Sequence, residues 1–300
     1  MLKLESLGSK RGKKKDTKLR TCAIVEEKET KEPIGILKIG EDRATANEEL
    51  VELPKELIFS LSPETREDYV DVIFITGGQG SGKSTWCGDY CRHFINAFRP
   101  KPEYITIISA DDIEDKAYAF PHRHIKIDDQ FVEEPITLDD LTNPDKKSRS
   151  LVIFDDVEGL SNAKKNKALE ALTEAVMTMG RKRRIHCLFI SHRAASGRLT
   201  KNILNELTAC VFFPKISGGR NLAYMLKSHL GIPDGLKECF KKGDWGRWIC
   251  ISMKVPQFIL SEHRSAIYDH DEVDKAIKKR SIIDKKRAQK EAIEALEGDN

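Results

Sequence analysis

Gly77-Gly78-Gln79-Gly80-Ser81-Gly82-Lys83-Ser84-Thr85 brings together the residue types that hold a polyphosphate. The stretch has the form G-x-x-x-x-G-K-[ST], the phosphate-binding-loop pattern. Its glycines let the backbone curl until successive N–H groups face one anion, and a helix starting at its end adds partial positive charge. In that arrangement Lys83 reaches the β- and γ-phosphates of a nucleoside triphosphate, and Ser84 holds Mg²⁺. ATP and Mg²⁺ are the ligands this chemistry calls for, with residues 77–85 as the binding loop.

A second group of acids complements the loop. Leu151-Val152-Ile153-Phe154 is a fully apolar run that ends in Asp155 and Asp156. A buried strand ending in Asp places a carboxylate at the carboxyl edge of a sheet, where a phosphate loop also opens. Asp155 then holds Mg²⁺ through its water shell, and Asp156 polarises the attacking water as a general base. Glu158 is the rival base, since its longer side chain offsets its distance. A later apolar run ends in Ser191-His192-Arg193. A polar side chain there can touch the γ-phosphate, with Ser191 the first choice and His192 the alternative.

Between those two runs lies Gly180-Arg181-Lys182-Arg183-Arg184. Consecutive cations repel one another unless something negative is near. Arg181 is the first choice for an arginine finger entering a neighbouring copy's site. Such a finger raises the rate by ~10³–10⁵. The same run also suits contact with nucleic-acid phosphates, or a plain solvated turn.

The elements that must position these groups are legible as alternating strands and helices. Val70 and Val72 to Ile75 read as the strand before the loop, and Trp86 to Phe98 as the helix after it. Tyr104–Ala110, Leu151–Phe154, His186–Ile190 and Cys210–Phe213 read as buried strands, with a short one at His124–Ile127. Leu169, Leu172, Val176 and Met179 share one face of a helix over 163–179, with Gly180 as its C-cap. Short helices are expected at 221–230 and 234–241, then a hairpin of Trp248–Met253 with Pro256–Leu260. Wholly apolar strands alternating with helices predict an α/β fold, with a mostly parallel sheet covered by helices on both faces. The expected division is a basic disordered tail at 1–20, a β-rich extension at 21–68, an ATPase core at 69–268 and a charged helical tail at 269–300.

Composition narrows the class. The 300 residues are 39% hydrophobic and 33% charged, with a net charge of +3, which gives a real core beneath a very charged surface. The basic charge is concentrated in Ser9–Arg20, with seven basic residues against one acid. No apolar run is long enough to span a membrane, and no apolar segment follows the charged N-terminus as a signal peptide requires. Seven scattered cysteines fit a reducing compartment. Cys87, Cys91 and His93 lie close together on one expected helix, as a metal site or, more plainly, as small buried side chains.

Taken in order, GGQGSGKST, LVIFDD, GRKRRIH, CLFISHR and TKNILNELTACVFFP resemble the genome-packaging ATPases of nucleocytoplasmic large DNA viruses. Poxviruses and giant viruses carry these enzymes, and related ones occur in virophages and polinton-like elements. They form a branch of the FtsK–HerA superfamily of P-loop ATPases. The resemblance covers about residues 33–265. It implies an additional-strand sheet, in which the strand ending at Ser191 lies between the Lys83 strand and the Asp155 strand. It also implies a hexameric or pentameric ring that uses ATP hydrolysis to drive double-stranded DNA, without sequence specificity, into a preformed capsid. Capsid or portal-like viral proteins are the implied partners, and the host cytoplasm, the viral factory or the virion the implied location. The superfamily usually has Glu after the Mg²⁺ acid, where this chain has Asp156. Arg181–Arg184, the 9–20 segment, Lys215, Arg220 and Lys241/Lys242 are candidate DNA contacts. Two other functions remain open from the residues alone: a small-molecule kinase with the 181–184 cluster as its lid, and a nucleotide-dependent switch or scaffold.

Overall fold

The computed structural model describes residues 2–7, 19–40, 50–112, 115–145, 147–158, 160–194, 202–215, 219–232, 240 and 245–268. The charged tail expected at 269–300 lies outside the described residues. So do positions 8–18 of the basic segment, Lys241 and Lys242, and all of the helix expected at 234–241 except Phe240.

A four-stranded antiparallel sheet comes first. Its strands are β1 (Leu2–Ser6), β2 (Leu19–Glu27), β3 (Pro33–Gly40) and β5 (Leu57–Leu61), in the order β1-β3-β2-β5. Residues 2–6, expected within a disordered tail, instead pair with β3 along their whole length. Leu2 is buried by that pairing, a short apolar alternation that the basic run after it obscures. β4 (Leu50–Glu52) leaves this layer and joins the main sheet.

The main sheet is ten-stranded. Its central strands are β6 (Val72–Thr76), β7 (Ile105–Ser109), β8 (Arg123–Lys126), β9 (Ser150–Asp155), β10 (Ile185–Ser191) and β11 (Ala209–Phe212), all parallel. β12 (Ile249–Ser252), β13 (Phe258–Ser261) and β14 (Arg264–Ile267) extend it antiparallel, giving β4-β14-β13-β12-β11-β6-β10-β9-β7-β8. β12 and β13 are the expected hairpin. β14 and the β4 pairing to it were not legible, because four residues of which Ser265 alone is buried carry too little pattern. Their pairing, together with the Phe59 N–H donating to Glu262 O at 2.7 Å, ties the N-terminal layer to the core.

The helices among the described residues include α1 (Lys83–Phe98), α2 (Asp129–Glu133), α3 (Leu138–Leu141), α4 (Ala163–Arg183) and α5 (Gly219–Ser228). Strand alternation explains why both faces are covered. Val72 and Phe74 point toward Leu169, Leu172 and Val176 of α4, whereas Ile73 and Ile75 point toward Cys87, Cys91 and Phe94 of α1. Strands buried on both sides read as continuous apolar runs, as these do. α4 does not stop at Gly180. It runs on to Arg183, and Arg184 supplies the left-handed cap (φ 57°), because Gly180 is buried against the start of β10. Cys87 and Cys91 are fully buried, and His93 faces Glu26 at 3.4 Å.

β10 is inserted between β6 and β9, with Cys187 level with both Val72 and Val152. This is the additional-strand order expected for the sheet. Phe189 of β10 and Phe154 of β9 stack face to face at 4.8 Å. The carboxyl ends of the three strands finish level, Ser191 beside Thr76 and Ile190 beside Asp155.

Candidate nucleotide site

Everything after those strand ends faces one edge. The 77–82 loop leaves β6, and Gly82 (φ 103°) turns the chain into α1 through a conformation that favours glycine. Lys83 opens the helix. Its ammonium donates to Gly77 O at 2.9 Å and Gly78 O at 3.3 Å, and lies 3.1 Å from His192 Nδ1. An ammonium only donates, so Nδ1 is the acceptor and the ring proton sits on Nε2. That nitrogen meets Asp156 Oδ2 at 2.8 Å. Lys83, His192 and Asp156 thus form one continuous chain of polar contacts across the strand ends.

Asp156 sits in the left-handed region (φ 46°), and its N–H donates to Ile190 O at 3.3 Å. Aspartate tolerates that conformation better than most residues. The turn swings the Asp156 carboxylate out toward His192 and leaves Asp155 facing inward. Asp155 Oδ2 accepts from the Tyr118 hydroxyl at 2.9 Å. Burial pushes the Asp155 carboxyl up to about 6; Asp156 and Asp115 repel it further, while Tyr118 and Lys83 pull it back. Burial also lowers the Lys83 ammonium, against the attraction of Asp156, Asp155 and Glu158. Each of Lys83 and Asp155 therefore feels the other's charge.

A buried carboxylate with incomplete compensation gains from a cation. Asp155 and the Ser84 hydroxyl offer the hard oxygen donors that Mg²⁺ prefers, with phosphate oxygens and water to complete its shell. The residues present fit that ion.

The other expected residues fall as follows. Ser191 is buried, and its Oγ donates to Arg193 O at 2.7 Å and accepts from Arg193 N at 2.9 Å. Its hydroxyl closes a local turn, and His192 is the strand-end side chain beside Lys83. Glu158 is half-buried and contributes to the field at Lys83. Gln79, Gly80 and Thr85 lie on the loop and the first turn of α1, and Ser81 Oγ is buried with no partner among the described residues. Arg181 is exposed at the opposite, amino edge of the sheet. The seven residues of β10 separate it from the loop by roughly 20 Å.

Two site residues escaped the sequence reading. Tyr118 comes from a short 3₁₀ turn, Lys116–Tyr118, inside a polar stretch without a motif. Gly88 of α1 admits that turn, since a Cβ there would collide with Ala117 O. Arg247 comes from the approach to β12, and its Nε donates to Ser81 O at 3.0 Å. A lone arginine far along the chain carries no spacing pattern that links it to the loop.

Loop, inserted strand and convergent acids define a P-loop NTPase fold of the additional-strand type. No protein-family model matches the chain. It is 28% identical over 230 residues to uncharacterized protein V3 of Sputnik virophage, spanning 74% of this chain and 88% of that one. Virophages are among the carriers that the motif resemblance names. Among solved structures it is similar to the pCW3 conjugation coupling protein TcpA, with TM-score 0.45 and 13% identity, over 83% of this chain and 77% of that one. It is also similar to the genome packaging NTPase B204 of Sulfolobus turreted icosahedral virus 2, with TM-score 0.44 and 14% identity, over 66% and 98%. Among the described residues no helix is long and apolar enough to cross a membrane.

Proposed function

We propose that the chain is an ATP-hydrolysing translocase that moves double-stranded DNA into a preformed viral capsid. The convergence of Lys83 and Asp155 at one sheet edge, with β10 between their strands, carries the ATPase part of this reading. The ordered motif run supports the packaging role, and the virophage relative supports a viral setting.

In this reading the 77–85 backbone cradles the β-phosphate. Lys83 leaves His192 and the loop carbonyls to grip the terminal phosphate. Ser84 and Asp155 would hold Mg²⁺, which would supply positive charge against that of the phosphates. Asp156 orients a water whose oxygen bonds to the γ-phosphorus as the bond to the β,γ-bridging oxygen breaks, yielding ADP and phosphate; Glu158 is the other carboxylate in reach of that role. His192, linked to both Lys83 and Asp156, reads whether the terminal phosphate is present. A neighbouring copy's Arg181 completes the site, and a basic surface tracks DNA phosphates without reading bases.

The test is steady-state ATPase activity with and without duplex DNA, for wild type and Lys83→Ala. Turnover is expected to rise with duplex DNA and to vanish in the variant. Turnover indifferent to DNA and unchanged by Lys83→Ala contradicts the reading.

A further inference from the structure

A groove of about 600 Å³ lies on α4, where α2 and the chain leading into α3 meet it. Phe131 and Leu172 form its buried floor, and Val132, Ile136 and Leu138 its half-buried wall. None of residues 77–85, Asp155, Asp156 or His192 lines it. Apolar surface open to water gains free energy from whatever covers it.

The charged side chains of the lining are Lys164 and Lys167, both exposed. Other cations of α4 are matched: Lys165 meets Asp129 at 3.0 Å, and Arg183 meets Asp139 at 2.8 Å. The ammonium groups of Lys164 and Lys167 form no ion pair among the described residues. An apolar segment flanked by acids would satisfy floor and cations together. Residues 291–300 hold Glu291, Glu294, Glu297 and Asp299 and no base. In a helix Ala292, Ile293, Ala295 and Leu296 share one face, with Glu291 at one edge and Glu297 at the other. The basic 8–18 segment carries the wrong sign for these lysines.

We propose that residues 291–297 of the same chain dock in this groove, their apolar face on Phe131 and Leu172 and an edge glutamate on Lys164 or Lys167. The chain leaves the described fold on the right side of the sheet. Tyr268, bonded through its N–H to Gln257 O at 2.9 Å, is buried in the same apolar cluster as Phe131 and Leu172. α4 packs on β10, four strand spacings from β13, or roughly 19 Å. A helix layer adds roughly 10 Å. The chain from 269 to 290 covers roughly 33 Å even if wholly helical, so the groove is within reach. A segment joined to the same chain meets the groove at an effective concentration on the order of millimolar, so a contact too weak to hold a separate partner still fills it. Docked there, it braces α2 against α4, the helix that bears Arg181.

Zero-length cross-linking of the full chain tests this. A water-soluble carbodiimide joins a carboxylate and an ammonium that touch into an amide, taking up the water lost as its urea. Peptide mass spectrometry of protein that still migrates as a single chain is expected to show Lys164 or Lys167 joined to Glu291 or Glu297. Ile293→Ser with Leu296→Ser keeps all four of these groups and lies outside the core. It is expected to lower the yield at least about tenfold, because the apolar contact that holds the segment is gone. Lys164→Glu with Lys167→Glu, at exposed positions, removes the amide, and adding Glu291→Lys with Glu297→Lys is expected to restore it between the exchanged partners. A wild-type protein without these amides overturns the docking, as does a yield that the serine pair leaves unchanged. Amides found only in chains joined two by two place a second copy in the groove and overturn docking by the same chain.

Discussion

Asp155 is ionised at neutral pH against the preference of its surroundings. Burial raises its folded value from 3.8 to about 6. The sign follows directly: a carboxyl raised on folding costs nothing below about pH 4, and the cost grows as the pH climbs from 3.8 to 6. Above pH 7 the cost is complete, on the order of 3 kcal/mol at the limit of full burial. Asp155→Asn keeps an oxygen for the Tyr118 hydroxyl and removes the charge. It is therefore expected to raise the melting temperature of the nucleotide-free protein by several degrees at pH 7.5 and by nothing at pH 4. The same variant is expected to lose ATP turnover and the added stability that Mg²⁺ with nucleotide gives wild type. A melting temperature at pH 7.5 that falls or stays put removes Asp155 as a strained acid awaiting its ion. Function here sits on a locally unfavourable charge, which the rest of the fold must offset.

At the scale of elements, the opposite edge of the sheet supplies that offset. Asp71, just before β6, is buried and accepts from Lys254 at 2.6 Å and from the Tyr90 hydroxyl at 2.7 Å. Arg149 Nη1 lies 3.1 Å from His186 Nε2, and His186 Nδ1 accepts from the Asp71 backbone N–H at 3.2 Å and lies 3.3 Å from Asp71 Oδ2. Burial alone would raise the Asp71 carboxyl, but Lys254 and His186 outweigh it and hold it far below the usual carboxylate range. Burial of Glu64 is likewise outweighed, by Arg66 and Lys254, at about 2. Lys254→Met strands the Asp71 charge and is expected to cost about 3–5 kcal/mol in urea unfolding at pH 7; adding Asp71→Asn should recover most of it. Folded values below the unfolded ones mean this stabilisation is complete above about pH 4.5 and fades as the pH falls toward 2, so the single variant and wild type should converge in acid. Equal midpoints at pH 7 would show that the pair contributes nothing net. This network was illegible in the sequence, because Glu64, Asp71, Arg149, His186 and Lys254 share no spacing and meet only through strand order. The phosphate loop, Asp155 and the buried strands were legible because each is a contiguous run whose chemistry depends on its neighbours in sequence. β1 and β14 were not, nor was the pairing of β4, since short strands with one buried residue apiece draw their stability from partners far along the chain. Tyr118 and Arg247 belong with the network: each reaches the site from a segment whose local sequence says only turn or loop.

For the whole molecule, the position of Arg181 sets the requirement. α4 carries Arg181, Lys182 and Arg183 in its last turn, all exposed, and Arg183 meets Asp139 at 2.8 Å. The length of β10 keeps this end of the helix roughly 20 Å from the loop of the same chain. If Arg181 offsets charge in hydrolysis, it does so at a second copy's site, and a head-to-tail assembly becomes part of the chemistry. Arg181→Ala alone is then expected to bind nucleotide normally and to lose ~10³-fold or more in turnover. Lys83→Ala alone is expected to be silent because its own loop is empty. Mixing the two variants in equal amounts before assembly unites an intact loop from one copy with an intact arginine from the next at about a quarter of head-to-tail interfaces. Activity is therefore expected to reappear in the mixture of two inactive proteins, and to rise with total protein concentration as copies associate. A mixture as silent as its components, or an Arg181→Ala protein that turns over like wild type, excludes this arginine from a shared site. In that case the cluster at the amino edge is left as a surface for nucleic-acid phosphates, which the steepness of the salt dependence of duplex binding would register as a shallower slope in the variant.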